Sequence, residues 1–128
     1  MMQTLDQQRA ALAWKYASAG MAAFGKEYKG LAKGAPALIM NSGLMPTLAY
    51  YKAKGGAASH LLDDLIRALA RRIDGRELAY GQGEKTFAAC MVALQAQSGR
   101  EYLRHTDEAL EMLKWIRQFV DAVEGRED

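Results

Sequence analysis

Three lysines in the first third of the chain have a spacing suited to a polyanion. Lys26, Lys29 and Lys33 stand at i, i+3 and i+7, which aligns their ammonium groups along one face of a helix. Such a row can follow a phosphate backbone, because phosphate contacts need positive charge and reach but no particular base. Lysines on a solvated helix face are also common, so the spacing alone leaves both interpretations open.

Two further lysines, Lys52 and Lys54, extend this basic character, with Tyr50 and Tyr51 beside them as possible contacts to bases or sugars. Residues 1–54 carry seven basic and two acidic side chains, although the whole chain has a net charge of only +2. The second half is therefore acidic overall. This asymmetry favours a polyanionic partner for the first half over an ordinary solvated surface only weakly.

Residues that would support catalysis or metal binding form no recognised motif. The two histidines, His60 and His105, match no metal-binding pattern, and the sequence indicates that they are isolated from each other and from carboxylates at ligand spacing. Asp63 and Asp64 are adjacent, so on a helix they point about 100° apart instead of sharing a site. We therefore expect no metal site, no cofactor and no enzymatic activity.

Two other features have a structural interpretation. The stretch from Gly81 to Thr86 resembles a phosphate loop, but Glu84 separates the last glycine from Lys85 and no strand precedes it, so we interpret it as the start of a helix. Cys90 is the single cysteine and lies in an apolar helical run, where a small buried thiol is expected. A chain with one cysteine forms no internal disulfide and suits a reducing, cytoplasmic setting.

Helical signals cover most of the first half. A helix is predicted from Leu5 to Phe24, with Thr4 as N-cap, Gln7 as its capping-box partner and Gly25 as its end. Its apolar face is expected to contain Leu5, Leu12, Ala13, Tyr16, Ala17, Gly20 and Phe24. A short basic helix follows over residues 26–34, Pro36 restarts the chain into a compact turn over residues 37–40, and another helix runs from about Leu44 to Lys54.

The second half has three predicted helices. Ser59 is expected to cap one that ends at Asp74 and Gly75, and a connection from Arg76 to Gly83 leads to another over residues 84–97. The last helix has Thr106 as its cap and Gly125 as its end. Its apolar stripe is predicted to comprise Ala109, Met112, Leu113, Ile116, Phe119, Val120 and Val123.

These elements predict an all-α chain, with residues 1–128 forming a single compact bundle of about six helices. Strand-forming residues are scarce, with only three valines, whereas Ala, Leu, Met, Lys, Arg and Glu abound. The Ala-rich start contains Lys15 and favours a helix over a signal peptide. The longest uncharged stretch contains Pro36 and Pro46, which makes it a poor membrane-spanning helix. We expect a soluble protein without a membrane contact.

Two blocks of sequence resemble the small subunit of the type III-B CRISPR effector, the Cmr complex. In the first half they include Thr4 to Arg9, Lys26 to Tyr28, Leu31 to Lys33, Ala35 to Leu44 and Thr47 to Tyr50. In the second half they include Thr106 to Leu110, Leu113 to Phe119 and Ala122. Lys33, Lys54 and Arg117 fall on matching basic positions of this family.

The resemblance implies an all-α, non-catalytic subunit of an antiviral ribonucleoprotein, present in several copies that stack as a minor filament. Its partners would be other Cmr subunits, further copies of itself, and the RNA backbone along the target-strand channel, while a neighbouring subunit cleaves the target. Guide pairing supplies sequence specificity in such a complex, so the protein need supply only shape and charge.

Further candidate residues and two alternative functions remain open. If the lysines do not contact RNA, the next candidates are Arg9, Arg104 and Arg117, and Trp115 is a candidate interface residue because it lies just off the last apolar stripe. The turn around Asn41 would also suit a helix-turn-helix DNA-binding regulator, although its recognition helix would begin with poor base readers. An enzyme with an unrecognised site is the third interpretation.

Overall fold

The structure, a computed structural model, describes residues 3–74 and 83–126. Six α-helices and no strand are found in these residues, as the sequence predicted. They are α1 (Leu5–Phe24), α2 (Lys26–Ser42), α3 (Leu44–Lys54), α4 (Ala57–Asp74), α5 (Gly83–Gln95) and α6 (Gly99–Arg126). Of the predicted connection from Arg76 to Gly83, only the last residue is described, and it begins α5.

Helix α4 lies at the centre, and its buried face is wide. Its buried positions include Leu61, Leu65 and Leu69 but also their neighbours Leu62 and Ile66, so burial extends around the helix. It packs against all five other helices. Buried side chains from the six helices form one hydrophobic cluster, to which Phe87, Met91, Trp115 and Phe119 contribute partly buried surface.

Helix α1 begins as predicted and buries most of the predicted face. Thr4 Oγ1 accepts a hydrogen bond from the Gln7 amide, and Gln7 Oε1 accepts one from the Thr4 amide, which completes the capping box. Ala13, Tyr16, Ala17 and Gly20 are buried. The predicted face is wrong at its two ends, since Leu5 is 57% exposed and Phe24 37% exposed. The bundle covers only the middle of α1.

Helix α2 contradicts the prediction of a basic helix, a restart at Pro36 and a separate turn. It is one helix of 17 residues with Pro36 in its interior. Tyr28, Ala32, Ala35 and Ile39 form a single buried stripe across the proline, and α2 packs on α4 and α6. An internal proline costs about 3 kcal/mol, and burial of a stripe on both sides of it offsets that cost.

Three predicted helix boundaries are also wrong. Helix α4 begins at Ala57, so Ser59 lies in its first turn and is not its cap. Helix α6 begins at Gly99, where Ser98 Oγ accepts a hydrogen bond from the Glu101 amide. Thr106 is therefore internal, and its hydroxyl donates to the Tyr102 carbonyl. At the other end α6 continues past Gly125 to Arg126.

Candidate nucleic-acid interface

The predicted lysine row lies on the flank of α2 beside its buried stripe. Lys26 and Lys33 are exposed and Lys29 is partly exposed. Lys29 and Lys33 face α6, where both contact Asp121. The shortest distances to Asp121 Oδ1 are 3.3 Å from Lys29 Nζ and 2.9 Å from Lys33 Nζ.

A shallow groove of about 150 Å³ separates this row from α6. We call it the α2/α6 groove; it is lined by Lys33, Lys114, Arg117, Gln118 and Asp121. The structure thus brings Lys33 together with Arg117, two of the three basic positions that the resemblance had matched. Lys114 was not predicted as a site residue. Its position three residues before Arg117 on the same helix would have been the signal.

Asp121 is the acidic residue that lines this groove. Hydrogen bonds from Lys33 and then from Lys29 lower the pKa of its carboxyl group, so it carries a full negative charge at neutral pH. Lys114 has a separate acidic neighbour, because its Nζ lies 3.9 Å from Glu111 Oε2. The groove therefore retains an excess of positive charge.

The other predicted lysines do not line this groove. Lys54 Nζ lies 5.8 Å from the centre of the exposed Tyr50 ring, a cation–π contact. Tyr51 is fully buried and belongs to the core. Helix α3 packs mainly against α2, α4 and α5, so Lys52 and Lys54 form a second basic region apart from the groove.

Arg9 and Arg104 are held by ion pairs. Arg9 Nε and Nη2 lie 2.9 and 2.8 Å from the two carboxylate oxygens of Glu108, and both side chains are largely buried. Arg104 Nη1 lies 2.8 Å from Glu101 Oε1 on an exposed surface. Arg9 thus joins α1 to α6 in the structure, whereas Arg104 remains reachable from solvent.

A second cavity, of about 220 Å³, lies beside Arg9. Its lining includes Leu12, Ala68 and Met112 together with Arg71 and Arg72, and the last two were not predicted as site residues. Arg71 Nη2 donates to Gln8 Oε1 at 3.3 Å. The apolar floor makes this cavity less suited to a phosphate backbone than the α2/α6 groove, whose lining is entirely polar.

Trp115 is partly buried at the edge of the core. Its ring lies 5.8 Å from Phe119, which in turn contacts Trp14 edge-on at 5.3 Å. The Trp115 indole nitrogen is buried and has no hydrogen-bond partner within the part of the chain that the structure describes. Trp14, Trp115 and Phe119 together form an aromatic row on the α1/α6 surface.

The expectation that His60 is isolated from carboxylates is wrong. His60 Nε2 lies 3.9 Å from Asp64 Oδ2 one turn further along α4, and the buried Asp64 also accepts a hydrogen bond from the Tyr28 hydroxyl at 2.8 Å. Burial, and then the charge of Arg67, lower the pKa of His60. The imidazole is thus neutral at physiological pH and packs edge-on against Phe24 and Tyr28.

The remaining chemistry-bearing residue is a core side chain. Cys90 is buried as predicted, and burial raises the pKa of its thiol to about 11, which keeps it protonated. Among residues 3–74 and 83–126, no three His, Cys, Asp or Glu side chains are grouped so as to hold a metal ion. None of the helices in these residues combines the length and the apolar character needed to span a membrane.

Comparison with known protein families bears on the functions left open by the sequence. A family model described as "CRISPR-associated protein (Cas_Cmr5)" matches residues 5–123. The chain belongs to the Cmr5 family. The match also covers residues 55–97, which the resemblance had left unassigned. Membership of the Cmr5 family indicates a subunit of the type III-B Cmr complex and gives no support to a helix-turn-helix regulator.

The fold of this family is also found in a solved structure. A Cmr5 family protein from Thermus thermophilus superposes with a TM-score of 0.74, covering 95% of this chain and 98% of the other at 24% sequence identity. This likeness confirms the all-α fold. A comparison with curated proteins gave no match.

Proposed function

We propose that this Cmr5 family chain is a non-catalytic structural subunit of the Cmr ribonucleoprotein in antiviral defence, which contacts RNA backbone independently of sequence. The α2/α6 groove carries this proposal, because two basic positions from opposite ends of the chain, Lys33 and Arg117, meet there with Lys114. Copies would act as single domains that stack as a minor filament beside the subunits holding the guide RNA.

The weak and base-independent attraction between cationic side chains and phosphate supports this role. Exposed ammonium and guanidinium groups attract phosphate without distinguishing bases, and each contact is weakened by screening at physiological salt. One isolated copy should therefore bind RNA weakly. Copies aligned along one strand add their contacts and raise the effective affinity.

We assign no catalytic activity to the subunit itself. His60 is neutral and packed, Cys90 is a protonated core thiol, and Asp64 is hydrogen-bonded within the bundle. Cleavage of single-stranded RNA by the purified chain with magnesium, manganese or zinc, abolished by substituting His60 or His105, would contradict the non-enzymatic role.

The lysine row provides the test of RNA contact. Replacing Lys26, Lys29 and Lys33 together by glutamate should weaken RNA binding and flatten its salt dependence, by about 0.7 in logarithmic slope for each phosphate that the variant no longer neutralises. Helical content should stay unchanged because the three side chains lie outside the core. The measurement is RNA affinity against salt for wild type and variant in the assembled complex, with sequences of different composition giving similar values.

A single-site pair controls for net charge. Lys33→Glu and Arg100→Glu change the charge equally, but Arg100 lies about 25 Å from Arg117 along α6 and does not line the α2/α6 groove. Only Lys33→Glu should flatten the slope of RNA affinity against salt concentration. If the triple variant and the wild type have the same slope, the row is only a solvated helix face and the contact must be sought on another surface, with the exposed Arg104 as the next candidate.

Trp115 tests the proposed stacking. Because the aromatic row is partly exposed, we expect Trp115→Ala to reduce incorporation into the reconstituted complex more than it reduces the stability of the isolated chain. Trp115→Phe is the matched control, since it keeps one aromatic ring and loses the second ring with its indole N–H, which has no hydrogen-bond partner in the described residues. Melting temperature and incorporation are measured side by side. A large loss of melting temperature with normal incorporation of the folded variant would assign Trp115 to the core.

A further inference from the structure

The acidic residue of the α2/α6 groove is placed where an RNA phosphate would bind. Asp121 Oδ1 and Oδ2 lie 2.9 and 3.0 Å from Lys33 Nζ, and Oδ1 lies 3.3 Å from Lys29 Nζ. A phosphate oxygen bridging two lysines would make the same charge-assisted contacts. The carboxylate thus satisfies the two lysines that the proposed function assigns to RNA.

The surrounding charges give this position its preference for an anion. Lys114 and Arg117 lie seven and four residues before Asp121 on α6, which places them on the same face of the helix. With Lys29 and Lys33 on the facing helix, four cationic groups surround one carboxylate. Asp121, together with Glu111 beside Lys114, neutralises at most two of these four charges, so the site attracts a further or stronger anion.

We propose that the α2/α6 groove binds one phosphate group of an RNA strand and that Asp121 occupies this site in the free subunit, so that binding displaces its carboxylate. The inference rests on the proposed function for the identity of the ligand as RNA. Displacement requires little rearrangement, because the Asp121 side chain is 52% exposed and can rotate into solvent. The native carboxylate therefore competes with phosphate and weakens the binding of RNA by a single subunit.

Asp121→Asn tests this competition because it removes the charge and keeps the shape. The variant should bind a uridine homopolymer about fivefold more tightly than the wild type at low salt. Its salt dependence should also be steeper, since lysines without the Asp121 charge neutralise RNA phosphates more fully and release more of the counterions condensed on the strand. The matched control is Asp107→Asn, an exposed acid of α6 that does not line the groove and changes the net charge equally.

Inorganic tripolyphosphate separates this inference from the proposed function. Binding of tripolyphosphate to the full-length chain is followed through the NMR signal of the Arg117 Nε–H. Asp121→Asn should lower the tripolyphosphate concentration at half-saturation by about the same factor as it lowers that of RNA. If tripolyphosphate binds in this way but the lysine row makes no difference to RNA affinity in the complex, the anion site stands and the proposed function fails. If Asp121→Asn and Asp107→Asn have equal affinities for tripolyphosphate, or Asp121→Asn binds more weakly than the wild type, the competition is refuted.

Discussion

Replacing Gly20 by alanine is expected to lower the free energy of unfolding by about 2 to 4 kcal/mol. A Cβ atom at position 20 would stand 2.4 Å from Cε1 of the Tyr28 ring and 2.5 Å from two further ring carbons. The ring has nowhere to move, because Tyr28 is fully buried and its hydroxyl donates to Asp64. Retreat of the ring would leave the buried Asp64 carboxylate without this donor.

Two other glycines are matched controls for this substitution. Gly30 and Gly34 are exposed positions in α2, and no atom outside the local helix backbone lies within 4 Å of a Cβ built on either. Alanine there should raise stability by about 0.5 to 1 kcal/mol per site through helix propensity. Urea unfolding followed by circular dichroism measures all three variants. A midpoint for Gly20→Ala at or above that of the wild type would show that α1 and Tyr28 do not pack as described.

Replacing Arg9 by alanine should cost about 3 kcal/mol of stability. The substitution removes both hydrogen-bond donors from Glu108, which is only 8% exposed and would remain as an uncompensated buried charge. The stability of Arg9→Lys should lie between that of the wild type and that of Arg9→Ala, because one ammonium group cannot reproduce the bidentate contact of the guanidinium. Chemical unfolding at neutral pH provides the measurement.

Asp6→Ala and a double variant control for the Arg9 result. Asp6 also contacts Arg9, but at 3.4 Å and with a 68% exposed side chain, so its loss should change stability by less than about 0.5 kcal/mol. Arg9→Met with Glu108→Leu should recover most of the stability, since both charges are then absent. Equal stabilities for Arg9→Ala and Asp6→Ala would refute the buried pair. Because of this pair, loss of RNA binding in an Arg9 variant would report on folding before it reported on contact.

Local signals explain why much of the helical layout could be predicted. The Thr4 capping box, the start of α3 after Gly43 and the apolar stripe of α6 all depend on residues a few positions apart. The lysine row is of the same kind, since its alignment follows from helical spacing alone. The apolar helical run around Cys90 also identified this residue as a buried one of α5.

The predictions that failed concern competition between a local signal and tertiary burial. Pro36 and Thr106 are residues that often mark helix boundaries. Helix α2 nevertheless continues through Pro36, and α6 begins seven residues before Thr106. In α2 the buried stripe on both sides of the proline outweighs its local cost. In α6 an earlier cap at Ser98 extends the helix toward α3, where the Tyr102 hydroxyl accepts a hydrogen bond from the Met45 amide.

By itself the sequence determined most of the helical segments, most of their apolar faces, and the family to which the chain belongs. Only the tertiary structure decided which charges meet. Arg9 and Glu108 are 99 residues apart and Lys33 and Asp121 are 88 apart, so their pairing depends on how α6 lies against α1 and α2. Spacing sets the direction of a side chain on its own helix, whereas packing of one helix on another sets its neighbours. For that reason the sequence showed Lys33 as one of three aligned cations, and the fold showed that it pairs with the Asp121 carboxylate.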